Sequence, residues 1–103
     1  MATERLARQI TIKRVLSVVS QIWGVPVHVL KAPYNRAVSV PGRHAYCLLC
    51  REVGRMKLQP IATGFNRTDA HSAHEGCDSA TALIASNADF RAKYAAAKAE
   101  LQG

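Results

Sequence analysis

The stretch from Arg43 to Ala85 reads RHAYCLLCREVGRMKLQPIATGFNRTDAHSAHEGCDSATALIA, and it decides the predicted fold. Its first part carries apolar residues at intervals of one, three or four: Ala45, Leu48, Leu49 and Val53. This spacing places them on one side of a helix, as a buried stripe. Gly54 follows as a helix stop, because glycine readily adopts the left-handed conformation that many helix ends require. The stretch therefore opens with a helix.

A short helix and a longer helix follow in the same stretch. The short one opens at Gln59, with Pro60 next to it at a position where a missing amide donor costs little. Gly64 begins the break after it. Thr68 or Asp69 caps the longer helix, since a short oxygen side chain can accept from the first free backbone amides. The order helix, turn, short helix, turn, longer helix predicts a helix-turn-helix reader of DNA near residues 43–85.

The residues before this stretch predict further helices. Apolar residues supply a broad face from Glu4 to Trp23, and the β-branched run near Thr11 leaves open a later start. Gly24 ends this helix, and a single helical turn begins at Pro26. Residues 31–42 then predict a basic loop.

The last helix of the chain spans residues 87–101, with Asn87 as its cap and Asp89 in its first turn. Phe90 and Tyr94 lie four residues apart, so we expect this helix to pack back onto the domain. Residues 1–103 therefore predict one all-α domain of about five or six helices.

The charge distribution favours an anionic partner. The formal net charge is +7, and ten of the Lys and Arg residues lie in residues 1–57 against two acids. Residues 58–103 carry four basic residues against five acids. Positive charge concentrated in one half of a small domain is typical of nucleic-acid binding, although a solvated surface is the alternative.

Several classes of protein are disfavoured. Three cysteines and no signal peptide argue against a disulfide scaffold, and no apolar run approaches the roughly 20 residues that span a bilayer. The chain contains no nucleotide-binding glycine loop and no nucleophile elbow. We therefore predict a cytoplasmic, nucleoid-associated protein that is not an enzyme, takes no cofactor and does not bind a membrane.

A zinc site is the main chemical alternative. Cys47 and Cys50 precede His71, His74 and Cys77, and all five are zinc-ligand types. Both groups lie inside predicted helices, and the gap between them does not match common zinc-finger spacings. Buried cysteine also behaves as a small hydrophobic residue. We predict core packing and no metal.

Catalysis by Cys77 is disfavoured by its neighbours. His74 lies one turn away, but Glu75 and Asp78 flank the thiol and would raise its pKa. An acid–base pair of Asp69 and His71 has no predicted pocket around it.

The order of motifs resembles the C-terminal DNA-binding domain of the bacterial replication initiator DnaA, whose fold is similar to that of the Trp repressor. The matching phrases are IWGVPVHVLKA, NRAVSVPGR, AYCLLCREV, KLQPIATGFN and RTDAHSAHEG, which lie within residues 11–85. The resemblance implies a stand-alone DNA-binding module, because the ATPase domain of that family is missing here.

The resemblance also implies roles for individual residues. Arg36 matches an arginine that enters the minor groove, and Arg43 and Arg51 match residues that touch the DNA backbone. The family opens its recognition helix with Arg-Asp-His-Thr-Thr followed by a histidine. One alignment keeps Arg67 and His74 of this chain, and a shifted alignment keeps the aspartate; neither keeps the whole motif.

The sequence thus predicts sequence-preferring binding to double-stranded DNA, with control of transcription or replication. Phosphate contacts are assigned to four residues: Arg43, Arg51, Arg55 and Lys57. Contacts at the start of the recognition helix are assigned to six: Arg67, Thr68, Asp69, His71, Ser72 and His74. The pattern leaves open a monomer and a homodimer.

A protein-binding module that inhibits or recruits a partner is the alternative function. The aromatic residues that would anchor such an interface are Trp23, Tyr34 and Tyr46.

Overall fold

The computed structural model describes residues 10–32 and 37–103, and this part of the chain is helical with no strand. Its helices are α1 Ile12–Trp23, α2 Val27–Leu30, α3 Val40–Glu52, α4 Leu58–Gly64, α5 Ala70–Ser86 and α6 Ala88–Gln102. The prediction of an all-α single domain is confirmed.

The ends of α1 follow local chemistry. Thr11 is the N-cap, and its hydroxyl oxygen accepts from the Arg14 amide at 3.1 Å. Gly24 ends the helix with φ +67°, a left-handed conformation that glycine adopts without steric cost. The later of the two predicted starts is thus the described one, while residues 4–9 lie outside the described residues.

The start of α3 differs from the prediction. Residues 31–42 were predicted as a loop, but α3 begins at Val40 and holds Pro41 in its first turn. Proline fits there because its fixed φ suits a helix and its missing amide would have no intrahelical partner. Gly42 also lies inside α3, packed close to Leu30 of α2. The predicted turn after Pro26 is confirmed as α2.

The predicted helices of the 43–85 stretch are confirmed with small shifts of their ends. The first, α3, ends at Glu52 rather than at Val53, and the short helix α4 begins at Leu58, one residue before Gln59. Asp69 is the N-cap of α5: its Oδ1 accepts from the His71 amide at 2.9 Å.

A single residue, Asn87, joins α5 to α6. Its backbone amide donates to the Leu83 carbonyl, which closes α5. Its side-chain oxygen accepts from the Phe90 amide at 2.9 Å, which caps α6 as predicted. The rings of Phe90 and Tyr94 then stack with centroids 6.4 Å apart, and both are buried.

The core forms where α3 crosses the other long helices. Tyr46 is fully buried, and its hydroxyl donates to the Ile61 carbonyl of α4 at 2.8 Å. Cys47 packs against Gly76 of α5 so closely that a Cβ on that glycine would lie 2.6 Å from the cysteine Sγ. The pair therefore allows α3 and α5 to approach, and the contact fixes the depth of α5 in the domain.

Within the described residues, no helix combines the length and the apolar character needed to cross a membrane.

Candidate nucleic-acid interface

Arg43 lies inside the domain, with only 3% of its surface exposed. Its Nε donates to the Leu30 carbonyl at 2.7 Å, and its Nη2 donates to the carbonyls of Val29 and Ala32 at 3.1 Å each. The prediction that Arg43 contacts DNA phosphate is therefore wrong. The guanidinium instead donates to backbone carbonyls at and just after the end of α2, and it shares the Val29 carbonyl with the Ala32 amide and the Ala32 carbonyl with Arg67.

Arg67 converges on the same chain segment from the turn between α4 and α5. Its Nη1 donates to the Ala32 carbonyl at 3.2 Å, and its guanidinium lies 5.1 Å from the centroid of the Phe65 ring. Asn66 donates to the Lys31 carbonyl at 3.2 Å. The residues that lead into the predicted basic loop are thus fixed beside the turn that precedes α5.

The same turn is braced from α4. Gln59 Nε2 donates to the Thr68 carbonyl at 3.2 Å, and the Arg67 amide donates to the Ala62 carbonyl at 2.8 Å. Asn66 adopts φ +63°, a left-handed conformation that asparagine tolerates better than most residues. These bonds, together with the Asp69 cap, give the exposed start of α5 a defined position.

Three predicted phosphate ligands remain at the surface, in and next to the turn between α3 and α4. We call Arg51, Arg55 and Lys57 the basic turn; all three are exposed. Arg51 Nη1 donates to the Met56 carbonyl at 3.0 Å and lies near enough to Cys77 to act on its pKa. Arg51 of the basic turn therefore lies near the middle of α5.

The basic turn groups three cations that have no acidic partner among the described residues, whereas Lys13, Lys31 and Arg91 lack one at separate positions in the sequence. Within residues 10–32 and 37–103, no ion pair joins any of its three cations to a carboxylate. Every carboxylate of the same residues, in contrast, has a hydrogen-bond or ion-pair partner: Glu52, Asp69, Glu75, Asp78, Asp89 and Glu100. The uncompensated charge of the turn is available to an anion.

Arg55 adds a backbone anomaly to the basic turn. It adopts φ +54°, the left-handed region in which an L-residue with a side chain is strained by about 1–2 kcal/mol. Glycine would relieve that strain, and the Arg55 side chain is exposed and makes no hydrogen bond or ion pair within the described chain. An arginine at such a position points to a role for its charge.

The exposed stripe of α5 carries two pairs of residues, each pair four apart. His71 Nε2 lies 3.5 Å from Glu75 Oε1, and His74 Nε2 lies 3.3 Å from Asp78 Oδ2. The two imidazole rings have centroids 6.2 Å apart. Ser72 is half-buried, one residue along from the stripe. The structure thus brings both predicted histidines to one solvent-facing surface.

Arg36 and Tyr34 lie outside the described residues, so the predicted minor-groove contact stays a prediction.

The cysteines are packing residues rather than a thiol site. Burial raises the pKa of the Cys47 thiol far above its usual range, that of Cys50 to about 12, and that of Cys77 in the same direction. All three are therefore protonated near neutral pH and are poor nucleophiles. In the described part of the chain, no group of three or more His, Cys, Asp or Glu side chains is arranged to hold a metal ion.

Three contributors to this surface were not predicted from the sequence. Glu75 and Asp78 complete the exposed stripe, and the four-residue spacing from the two histidines was the signal that could have found them. Gln59 braces the turn through the Thr68 carbonyl, a contact that no sequence pattern indicates.

An apolar groove of about 630 Å³ lies between the end of α1 and the junction of α5 with α6. Trp23 and Val38 line it, and Val38 is 68% exposed. Trp23 packs against Phe90, with ring centroids 5.5 Å apart. Tyr46 is buried in the core, so its prediction as an interface anchor is wrong.

No protein-family model, curated protein or solved structure matches this chain.

Proposed function

We propose that this protein is a helix-turn-helix module that binds double-stranded DNA with a sequence preference and thereby regulates transcription or replication. The observation that carries the proposal is the basic turn, whose three exposed cations have no acidic partner among the described residues. One of them, Arg51, lies near α5, whose N-terminal part is exposed and follows a braced turn.

The basic turn supplies affinity in this proposal. Each cation that neutralises a phosphate releases a condensed counterion, so binding weakens as salt rises, with a slope of roughly 0.9 per contact in log units. Arg51, Arg55 and Lys57 hold the backbone, and the bonds of Arg51 to the Met56 carbonyl and of Gln59 to the Thr68 carbonyl limit movement of the surface.

The start of α5 supplies preference. Side chains on the first turns of a recognition helix reach base edges in the major groove. Thr68, His71 and His74 are exposed there, with Ser72 half-buried beside them, and Asp69 both caps the helix and lies at the same end. Arg67 acts on this surface indirectly, since its guanidinium is engaged with Ala32 and Phe65.

The resemblance to the DnaA C-terminal domain remains a prediction and adds one element to the proposal. Lys31 and Ala32, which precede the part of the predicted basic loop that holds Arg36, are tied to the turn before α5. Arg36 in that loop is our candidate for the minor groove.

Fluorescence anisotropy with a random duplex at two salt concentrations tests the proposal. We expect binding that falls steeply with salt, and a weaker salt slope for Lys57→Gln and Arg51→Gln. Arg14→Gln is the matched control, because it removes the same charge from α1, where Arg14 lies 3.8 Å from Glu100. Absence of binding at low salt, or an equal effect of all three variants, would contradict the proposal.

A protein-binding module is the second candidate, and the apolar groove favours it. Val38 is exposed beside Trp23, and exposed apolar surface of this kind often marks a protein interface. A Val38→Ser variant that loses a protein partner but keeps salt-dependent DNA binding would separate the two functions.

A further inference from the structure

Four consecutive backbone carbonyls at the end of α2 each accept a hydrogen bond from a side chain that is distant in sequence. We call them the carbonyl row: Val29, Leu30, Lys31 and Ala32. The buried Arg43 of α3 donates to the first, second and fourth members of the row. Asn66 donates to the third at 3.2 Å, and Arg67 donates to the fourth at 3.2 Å. The row is therefore held from two directions, by α3 and by the turn before α5.

The carbonyl row ends a helix that is too short to be stable by itself. The helix α2 has four residues, and isolated helices shorter than about 12 residues are marginal in water. Tertiary contacts must therefore hold it in place, and the side-chain donors to its last carbonyls supply part of them. The end of α2 and the turn before α5 thus fix each other's position.

The two residues of this turn that reach the carbonyl row lie directly before α5. We call Asn66 and Arg67 the clasp; Asp69, the N-cap of α5, follows Arg67 by two residues. The Arg67 guanidinium lies 5.1 Å from the centroid of the Phe65 ring, and that ring packs edge-on against Tyr46 with centroids 5.5 Å apart. The clasp therefore connects the exposed start of α5 both to the carbonyl row and to the core.

The clasp acts through geometry rather than through charge. Asn66 is neutral, and the Arg67 guanidinium is engaged by the Ala32 carbonyl and the Phe65 ring. Base reading needs side chains placed at hydrogen-bonding distance and angle from the base edges. The attraction of exposed cations to phosphate, in contrast, is independent of sequence. A shift of the start of α5 should therefore reduce sequence preference more than affinity for random DNA.

We propose that Asn66 and Arg67 are positioning residues that set the sequence preference of DNA binding by fixing the start of α5 against the end of α2. The inference rests on the proposed function. It assigns affinity for any duplex to the basic turn, and it assigns preference to a contact that touches no DNA. The helix α2, which contains no predicted DNA-binding residue, thereby takes part in base reading.

Fluorescence anisotropy with a duplex selected from a random pool and with a random duplex, at two salt concentrations, tests Arg67→Met. We expect the ratio of the two affinities to fall at least about fivefold, the lower end of what one base contact contributes. Arg91→Met is the matched control, because Arg91 donates to the carbonyls of Ile84 and Ala85 at the other end of α5. It should leave the ratio unchanged. The salt slopes of the two variants should be equal, whereas loss of a direct phosphate contact would lower the slope by roughly 0.9.

Asn66→Gly tests the clasp without a change of charge. Glycine adopts the left-handed φ of +63° without strain, and the substitution removes the donor to the Lys31 carbonyl. The preference should fall again, while affinity for random DNA is kept. Because Asn66 is exposed, this variant should fold even if Arg67→Met does not.

Amide hydrogen exchange gives a readout without DNA. The amides of His71 and Ser72 donate to Asp69 at the start of α5, and they should exchange faster in Arg67→Met than in Arg91→Met. Equal exchange rates, an unchanged preference in Arg67→Met and Asn66→Gly, or a slope lowered by roughly 0.9 with the preference kept would overturn the inference and leave the proposed function standing. Failure of the unchanged protein to bind any duplex at low salt would overturn both.

Discussion

The two ends of α3 carry arginines in opposite surroundings. Arg43, near the start, is buried and donates to three carbonyls that lie 11 to 14 residues earlier in the chain. Arg51, near the end, is exposed and belongs to the basic turn. The same residue type therefore stabilises the fold at one end of the helix and is solvent-exposed at the other. What separates them is that three backbone carbonyls converge on Arg43 inside the domain, whereas Arg51 donates to a single carbonyl at the surface.

Replacement of Arg43 by Met would break the buried end. Three carbonyls would lose a charged donor, and we expect the free energy of unfolding to fall by about 3–5 kcal/mol. Arg43→Lys should lose less, because the ammonium keeps some of these bonds. Urea denaturation measures both, and Arg51→Met, with an expected change within about 0.5 kcal/mol, is the control. Similar losses of stability for Arg43→Met and Arg51→Met would show that the two ends of α3 do not differ in this way.

Gly76→Ala would test the buried seam where α3 crosses α5. Alanine at an exposed helix position usually stabilises, but here the new methyl group would lie 2.6 Å from Cys47 Sγ. We expect a loss of about 1–3 kcal/mol, the usual cost of overpacking. In thermal melts, adding Cys47→Ala to Gly76→Ala should recover part of the lost stability, because the sulfur that meets the new methyl group is gone. A stabilised Gly76→Ala protein would mean that the helices separate easily.

Asp69→Ala would test the cap that fixes the exposed start of α5. Loss of the hydrogen bond from the His71 amide should lower the free energy of unfolding by about 1 kcal/mol. Asp78→Ala, on the same helix but away from the cap, should change stability by less than half of this. Equal effects in denaturant titrations would show that the cap contributes nothing particular.

Arg55→Gly would sharpen the comparison at the exposed end, because stability and binding should move in opposite directions. Glycine relieves the strain of the φ +54° conformation but loses more conformational entropy on folding. We expect the net effect to stabilise the fold by about 0.5–1 kcal/mol. The salt slope of DNA binding should fall as one phosphate contact is lost. A variant that is more stable and binds DNA unchanged would remove Arg55 from the interface.

The caps and ends of the helices were predictable because their causes are local. Gly24, Asp69 and Asn87 act on backbone groups within four residues, so the sequence itself contains both partners. The start of α3 was missed because Pro41 and Gly42 are typical loop residues. Proline is also favoured in a first helical turn, so the same residues fit either a loop or the start of a helix.

The role of Arg43 was not predictable because its partners are distant in sequence. The resemblance to a DNA-binding family assigned it to phosphate, and only the folded chain shows the carbonyls of Val29, Leu30 and Ala32 around it. Arg67 illustrates the same limit, because its partner, the Ala32 carbonyl, lies 35 residues earlier in the chain. The pairs on the exposed stripe of α5, in contrast, could have been predicted, because their four-residue spacing is visible in the sequence.

The double role of Asn87 has a consequence for how α5 meets a partner. The helix is capped by Asp69 at its start, and at its end Asn87 turns the chain directly into α6, which is anchored in the core through Phe90 and Leu101. A helix that is fixed at both ends loses little conformational entropy when it binds a partner. Adjustment on binding would then fall on the partner, and for a duplex it would appear as bending or as a change in groove width.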